Sequence, residues 1–505
     1  MTPKRIAAAR RRRADGGFVI AMFALTLTGL LVFAGFSVDV GAWYARASQI
    51  QRGADAAALA GVVWMPNFPK AEEVALAAAA QNGFVHDDDG PIKVVVTPVA
   101  SRPERLRVTI TDERVDQYFS SLVMEPSSIT RRSVAQYVLP VPLGSPRNFL
   151  GTGSLATGYN ENLWLAVSAW CTNKYDGERY QARFGGLGTS YSPSDCVQNP
   201  GPADPDLNNE YDEEGYEFYI DAPVDRTYDM DIILFDARYH TGGIGDSVLS
   251  SGDQSYKFSL YSADDTPLDD SDNPLLCERV FTKDTPFEFN YLGRSEWNHV
   301  CEATHFSRIT PAEPSGRYVL RVQNTANERF AAGSNLFSIV ARPTSGFGPN
   351  QLCDGRSAPL CPRVYGKDSL PVFAKQSSAT ANFYLSEVDP VHAGKTMRIT
   401  LFDPGEGGSS IKVRRPSGTD SWEDATFSWT SDHPSYPSDS NTTVLDVSSS
   451  RFNGRTITID IDLEGYSPPA DNEWWQISYN FGSGSVTDRS TWSVNIIGDP
   501  VHLVE

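Results

Sequence analysis

The sequence predicts a mixed fold: a single N-terminal transmembrane helix, a small α+β region, and then a mainly β body of two tandem β-sandwich domains. Three observations predict it. Phe18 to Val38 is 21 residues without a charge; the segment after it is alanine-rich and free of proline as far as Met65; and beyond Pro140 short apolar runs are punctuated by Gly, Pro, Asn and Asp. With 505 residues, 40% of them hydrophobic, the chain is long and apolar enough for several folded domains and is no disordered polyelectrolyte. Its 43 Lys and Arg against 63 Asp and Glu, a formal charge of −20, argue against a sequence-independent nucleic-acid binder, so no nucleic-acid partner is expected.

Residues 1–17 read as a cytoplasmic basic tail: Lys4, Arg5 and Arg10 to Arg13 concentrate positive charge immediately before the apolar run. At about 1.5 Å per helical residue, Phe18 to Val38 reaches about 31 Å, the thickness of a bilayer's hydrocarbon core. The cations before it and Asp39 after it keep the N-terminus cytoplasmic and export the remainder. A cleaved secretory signal is the alternative, but its apolar core is usually shorter, and Phe33-Ala34-Gly35 is a poor small-x-small cleavage site. Processing between Gly17 and Phe18 is another, weakened by Met22 where a prepilin would carry Glu. The expectation is a retained single-pass anchor with an extracellular or periplasmic ectodomain.

Residues 18–65 continue as one helix until Pro66. Gly53, Ala57 and Gly61 recur every fourth residue, a spacing that lets another helix approach closely, with Gln51 and Asp55 beside them. Alanine is also simply the best helix former, and Gln51, Arg52 and Asp55 can be a solvated face. Gly16-Gly17-Phe18, the apolar span, Val38-Asp39-Val40-Gly41, Trp43-Tyr44, Gln49 to Arg52 and Ala54 to Gly61 together resemble the N-terminal domain of TadG-like Flp/Tad pilus-assembly proteins, over about a tenth of the chain. The resemblance implies a bacterial envelope protein of a tight-adherence pilus system, partnered by TadE-like or pilin-like membrane proteins. Filament assembly through the helix is a further route, since pilin-like helices polymerise.

Residues 66–145 form the small region: a helix over Lys70 to Gln81, a turn at His86 to Gly90, a hairpin of Val94 to Val96 with Leu106 to Thr111, and a strand at Ser133 to Leu139. A long helix before a small antiparallel sheet is similar in outline to a pseudopilin. Residues 146–345 and 346–505 repeat one another. Phe218 to Ile220 followed by Ile232 to Asp236 is echoed by Phe383 to Leu385 followed by Ile399 to Asp403. Tyr318 to Val322 and Phe337 to Val340 are echoed by Trp475 to Tyr479 and Trp492 to Ile496. These are read as tandem sandwiches, similar in style to prokaryotic jelly-roll ectodomain modules.

All six cysteines lie in this exported part, which fits an oxidising compartment. Six allow fifteen pairings; sequential bonds Cys171 to Cys196, Cys277 to Cys301 and Cys353 to Cys361 would close three short loops. Asp446-Val447-Ser448-Ser449-Ser450 fits the start of a metal-dependent adhesion site, but only 55 residues follow it, too few for the α/β domain that site requires; a serine-rich turn is expected. His299, Cys301 and His305 bring zinc to mind without a fourth ligand, so no metal site is assigned and no cofactor is expected. Calcium suits the acidic stretch between 260 and 275, although charge runs in loops are usually just solvated. No nucleophile elbow, phosphate loop, dinucleotide fingerprint or zinc-protease motif occurs. Trp164, Trp170, Trp422, Trp429, Trp474 and Trp475 could line a sugar platform or anchor the sandwich interior. The reading is a non-enzymatic, membrane-anchored protein acting in assembly, anchoring or decoration of a Flp/Tad-type pilus. The alternative is a surface adhesin or carbohydrate-binding ectodomain on a TadG-like anchor.

Overall fold

The computed structural model describes residues 7–65, 68–99, 102–122, 124, 127–137, 141–151, 163–183, 207–239, 246–248, 254–264, 270–301, 308–325, 332–348, 350–376, 380–405, 410–448, 451–481, 486–497 and 501–504. It divides into two compact units, Met1–Val138 with Asp499–Glu505, and Leu139–Gly498.

The first unit holds helices α1 (Ala7–Val62) and α2 (Phe68–Gln81) and strands β1 (Ile92–Val99), β2 (Arg102–Val115) and β3 (Ser127–Tyr137). Pro66 lies just past α1, and Pro69 sits in the first turn of α2, where its missing N–H has no intrahelical partner in any case. The sheet is antiparallel in the order β1, β2, β3 and then the chain's last strand, Val501–Leu503. Those residues, counted from sequence with the second sandwich, therefore complete the sheet of the first unit. Alternation on the strands turns Val94, Val96, Leu106, Val108 and Ile110 inward, against Ile50, Ala54, Ala57, Ala58 and Val62 of α1 and Ala71, Ala75 and Ala79 of α2. Alanines four apart on α2 keep its inner face shallow, so helix and sheet close over a thin core. α2 ends in a Schellman cap: Gly83 is left-handed (φ 88°), its N–H reaches Ala80 O, and the N–H of Phe84 reaches Ala79 O.

In the second unit the sequence repeat is a repeat of pairing. Tyr216–Ala222 pairs with Gly316–Thr325 in one sheet and Met230–Phe235 with Gly333–Pro343 in the other. Thr380–Glu387 with Trp474–Asn480, and Thr396–Phe402 with Val486–Ile497, occupy the same places. The match extends to backbone geometry. Asp236 and Asp403, each just after its strand and each fully buried, both adopt left-handed φ (52° and 57°), and their N–H groups donate to Glu296 O and Arg455 O.

The two repeats are not separate beads, however. Arg363–Gly366 pairs with Tyr216–Ala222 and with Leu143–Gly144, which joins the strand Thr380–Glu387. In the other sheet Leu163–Ser168 lies between Gly333–Pro343 and Leu370–Gln376. Both sheets therefore run unbroken across the 345/346 boundary drawn from sequence, over one shared core. Pairing the two open edges with each other removes the exposed ladders that free sandwich edges would present. Arg363 marks the seam, bonded to Asp221 of the first repeat at 3.0 Å and Glu387 of the second at 2.8 Å.

Cys277 in Leu275–Phe281 is bonded to Cys301, just past Arg294–His299, and ties the two sheets together; Cys353 is bonded to Cys361. Closing the 24-residue separation is worth about 3.5 kcal/mol in the chain-entropy account. Cys171 is disulfide-bonded, and its expected partner Cys196 lies outside the described residues.

One buried acid gives the second unit a pH dependence. Glu178 is buried, and desolvation pushes its pKa up to about 7, even though Ser168, Arg489 and Tyr216 all act to lower it. The native state holds this proton after the unfolded chain has released it near pH 4.5, so stability falls as pH rises from about 4.5 to about 7. Glu178→Gln should remove the part of that slope that Glu178 supplies, while Glu473, whose carboxyl desolvation also pushes up to about 7, keeps its own. Between pH 4.5 and pH 8 the variant gains about 3 kcal/mol on the parent, read as a widening gap between two denaturation curves; parallel curves would sink the assignment.

Candidate functional site

Among the described residues one helix, α1, is long and apolar enough to cross a membrane, with an 18-residue window of mean hydropathy 2.3. Its apolar part is almost bare: Phe18, Ile20, Leu25, Leu31 and Phe33 are all strongly exposed. From Asp39 onward the same helix is built into the first unit, and the transition between these regimes is the candidate site.

Asp39 is completely enclosed. Its carboxylate accepts the backbone N–H groups of Tyr118 (2.8 Å), Phe119 (3.0 Å) and Ser120 (2.5 Å), the approach to a short 3-10 turn at Ser120–Leu122. Desolvation alone would raise its pKa, but the hydrogen bonds from Ser120, Tyr118 and Phe119 outweigh it and hold the carboxyl at about 2. One turn earlier Gly35 is buried against Phe119: a Cβ there would lie 2.9 Å from the ring's Cγ. Two turns later Arg46 grips Asp112 of β2 through Nε (2.8 Å) and Nη2 (2.7 Å), with its guanidinium 5.1 Å from the Phe84 ring centroid. Asp112 is itself buried, so this is a desolvated ion pair that locks helix to sheet.

The small-residue face is used inside the chain, which corrects its assignment to a partner helix. A Cβ on Gly53 would meet Phe84 Cδ2 at 2.5 Å, and one on Gly61 would meet Leu106 Cδ2 at 2.6 Å and the Ala71 carbonyl oxygen at 2.7 Å. Ala57 is wholly buried in the same core. Gln51 donates to Asp55 (2.8 Å) and to the Arg132 carbonyl of β3 (3.2 Å), so both polar residues also serve α1 and its own sheet. The close approach expected of these residues is real, and the chain's own α2 and β2 make it.

Other candidates resolve into turns and cores. Asp446 accepts the Ser448 N–H at 2.9 Å and pairs with Arg451, a plain Asx turn. Asp270 is engaged by Tyr219 and by Lys367 at 3.4 Å, while Asp265 and Asp269 lie outside the described residues. No group of three or more metal-ligating side chains occurs among the described residues. His299 bonds Glu288 at 2.9 Å, Cys301 is disulfide-bonded, and His305 lies outside the described residues. Trp164, Trp170, Trp474 and Trp475 are buried anchors, and Trp422 donates to the Trp474 carbonyl.

In the sequence Asp39 stood as the acid that follows the apolar span and as part of Val38 to Gly41, with no loop to bind, and Tyr118 and Phe119 carried no role. The available signal was an aromatic pair, Tyr118-Phe119, followed closely by the apolar Leu122, Val123 and Met124, between two strands.

Residues 17–63 match the TadE/G-like Flp pilus-assembly family. The matched segment contains Gly35, Asp39, Arg46 and the whole buried small-residue face. No curated protein matches the chain. A solved structure of a secreted protein from Parabacteroides distasonis aligns over 71% of this chain and 99% of its own at 9% identity, and its TM-score of 0.16 carries no argument about fold.

Proposed function

We propose that a chain whose membrane-crossing helix is a TadE/G-like segment serves a Flp/Tad-type pilus system as a non-enzymatic, single-pass envelope protein, with its basic tail in the cytoplasm and both folded units outside. The observation that carries this is the overlap of the family match, residues 17–63, with the exposed apolar helix and its docking residues. The positive-inside rule sets the orientation, and the disulfides of the second unit agree with an exported, oxidising location. The chain's part is assembly or anchoring of the pilus, with a TadE-like or pilin-like protein as partner.

With its inner face filled by α2 and β2, α1 meets that partner through its outward face. Val40 and Tyr44, one turn apart, are exposed there, Tyr44 by 77%. A photo-crosslinking residue at position 44, in native membranes, should yield an adduct with a second single-span protein of the pilus system. The same residue at position 54, buried in the unit's core, should yield none. Equal yields at both positions, or no adduct at 44, would overturn the proposal.

A further inference from the structure

Among the described side chains of the loop that begins at Asp116, Tyr118, Phe119 and Met124 are large, apolar and left uncovered by the fold: they are 64%, 54% and 50% exposed. Exposed apolar groups clustered on a loop mark a contact surface, and here the position of the loop says what it meets. Asp39 binds three consecutive amides of the loop, and Phe119 lies on Gly35. Gly35 is three residues inside the Val38 end of the uncharged run, about 4.5 Å along the helix axis toward the bilayer centre. When Phe18 to Val38 fills the hydrocarbon layer, the Phe119 ring stands at the boundary between acyl chains and headgroups, where aromatic side chains are favoured.

We infer that this loop is a membrane-interface foot: Tyr118, Phe119 and Met124 insert into the headgroup boundary of the leaflet on the ectodomain side, beside the chain's own helix. The occupant is phospholipid. The depth is set within the chain, because the carboxylate of Asp39 and the bare backbone of Gly35 bolt the loop to the helix at a fixed height. The inference rests on α1 crossing a bilayer and is independent of the pilus role.

The test uses the full-length protein in vesicles of phosphatidylethanolamine and phosphatidylglycerol, with the native cysteines left oxidised. Single variants Leu27→Cys, Tyr118→Cys, Phe119→Cys and Asp88→Cys are labelled with an environment-sensitive nitrobenzoxadiazole dye, and quenched by lipids carrying a spin label near the headgroup or deep in the acyl chain. The dye at 27 should be quenched best by the deep label, the dyes at 118 and 119 should lose most of their emission to the shallow label, and the dye at 88 should keep its emission with both. If 27 is quenched while 118 and 119 behave like 88, the foot is refuted and the anchor stands. If 27 is not quenched either, the membrane reading of α1 itself fails. A blue-shifted but unquenched dye at 119 would mean that protein covers the loop, and that also overturns the inference.

Discussion

Gly61→Leu is expected to destabilise the first unit strongly while leaving the larger β unit untouched. The new side chain would have to begin 2.7 Å from the Ala71 carbonyl oxygen, a backbone atom that cannot rotate away, and 2.9 Å from Ala75 Cβ. Overpacking a filled core costs about 1 to 3 kcal/mol, and a clash with backbone belongs at or above the top of that range. That is a large share of the roughly 5 to 15 kcal/mol by which domains are stable. Hydrogen exchange on the full chain in detergent should show β1, β2 and β3 losing protection, while Thr380–Glu387 and Trp474–Asn480 keep theirs. Ala45→Leu, on the exposed side of α1, should change neither set. A Gly61→Leu protein that keeps full protection in β2 yet loses its membrane partner would restore the face to a role between chains.

Asp39→Ala should free the loop at 118–120. Three N–H groups lose one charged acceptor, and the helix has no other group at that position to replace it. Exchange at the Tyr118, Phe119 and Ser120 amides is expected to speed up by about tenfold or more, with little change in the Val94 to Ile110 ladder. Asp39→Asn, which keeps an oxygen but adds a competing donor, should fall between. The parent has its own signature. A carboxyl held at about 2 in the folded state and 3.8 in the unfolded state contributes stability that is complete above about pH 4 and fades as pH falls toward 2. Protection of these amides should follow that course; loss already at pH 6 would point to a different acceptor.

Much of the architecture was legible because it is written locally. An uncharged run of 21 residues is a membrane-length helix whatever surrounds it, and the echo of Ile232 to Asp236 in Ile399 to Asp403 predicted equivalent strands that the pairing scheme and two left-handed aspartates now match. What could not be read was the destination of each surface. Gly53 and Gly61 announce that something comes close, and the announcement is the same for a helix in another molecule and for Phe84 and Leu106 further along this one. Asp39 reads as the acid that closes a membrane span, because the amides it binds are about 80 residues away. The fusion of the two repeats depends on short strands such as Arg363–Gly366, whose four residues hold too little alternation to name a neighbour.

The strand Val501–Leu503 makes a contact of very long sequence separation: Val501 pairs with Tyr137, and the whole second unit lies between them along the chain. Closing so long a loop costs chain entropy before any ladder bond repays it. The outer edge of β3 is therefore expected to be covered slowly as the protein folds, and until then it is an open template for pairing with another chain.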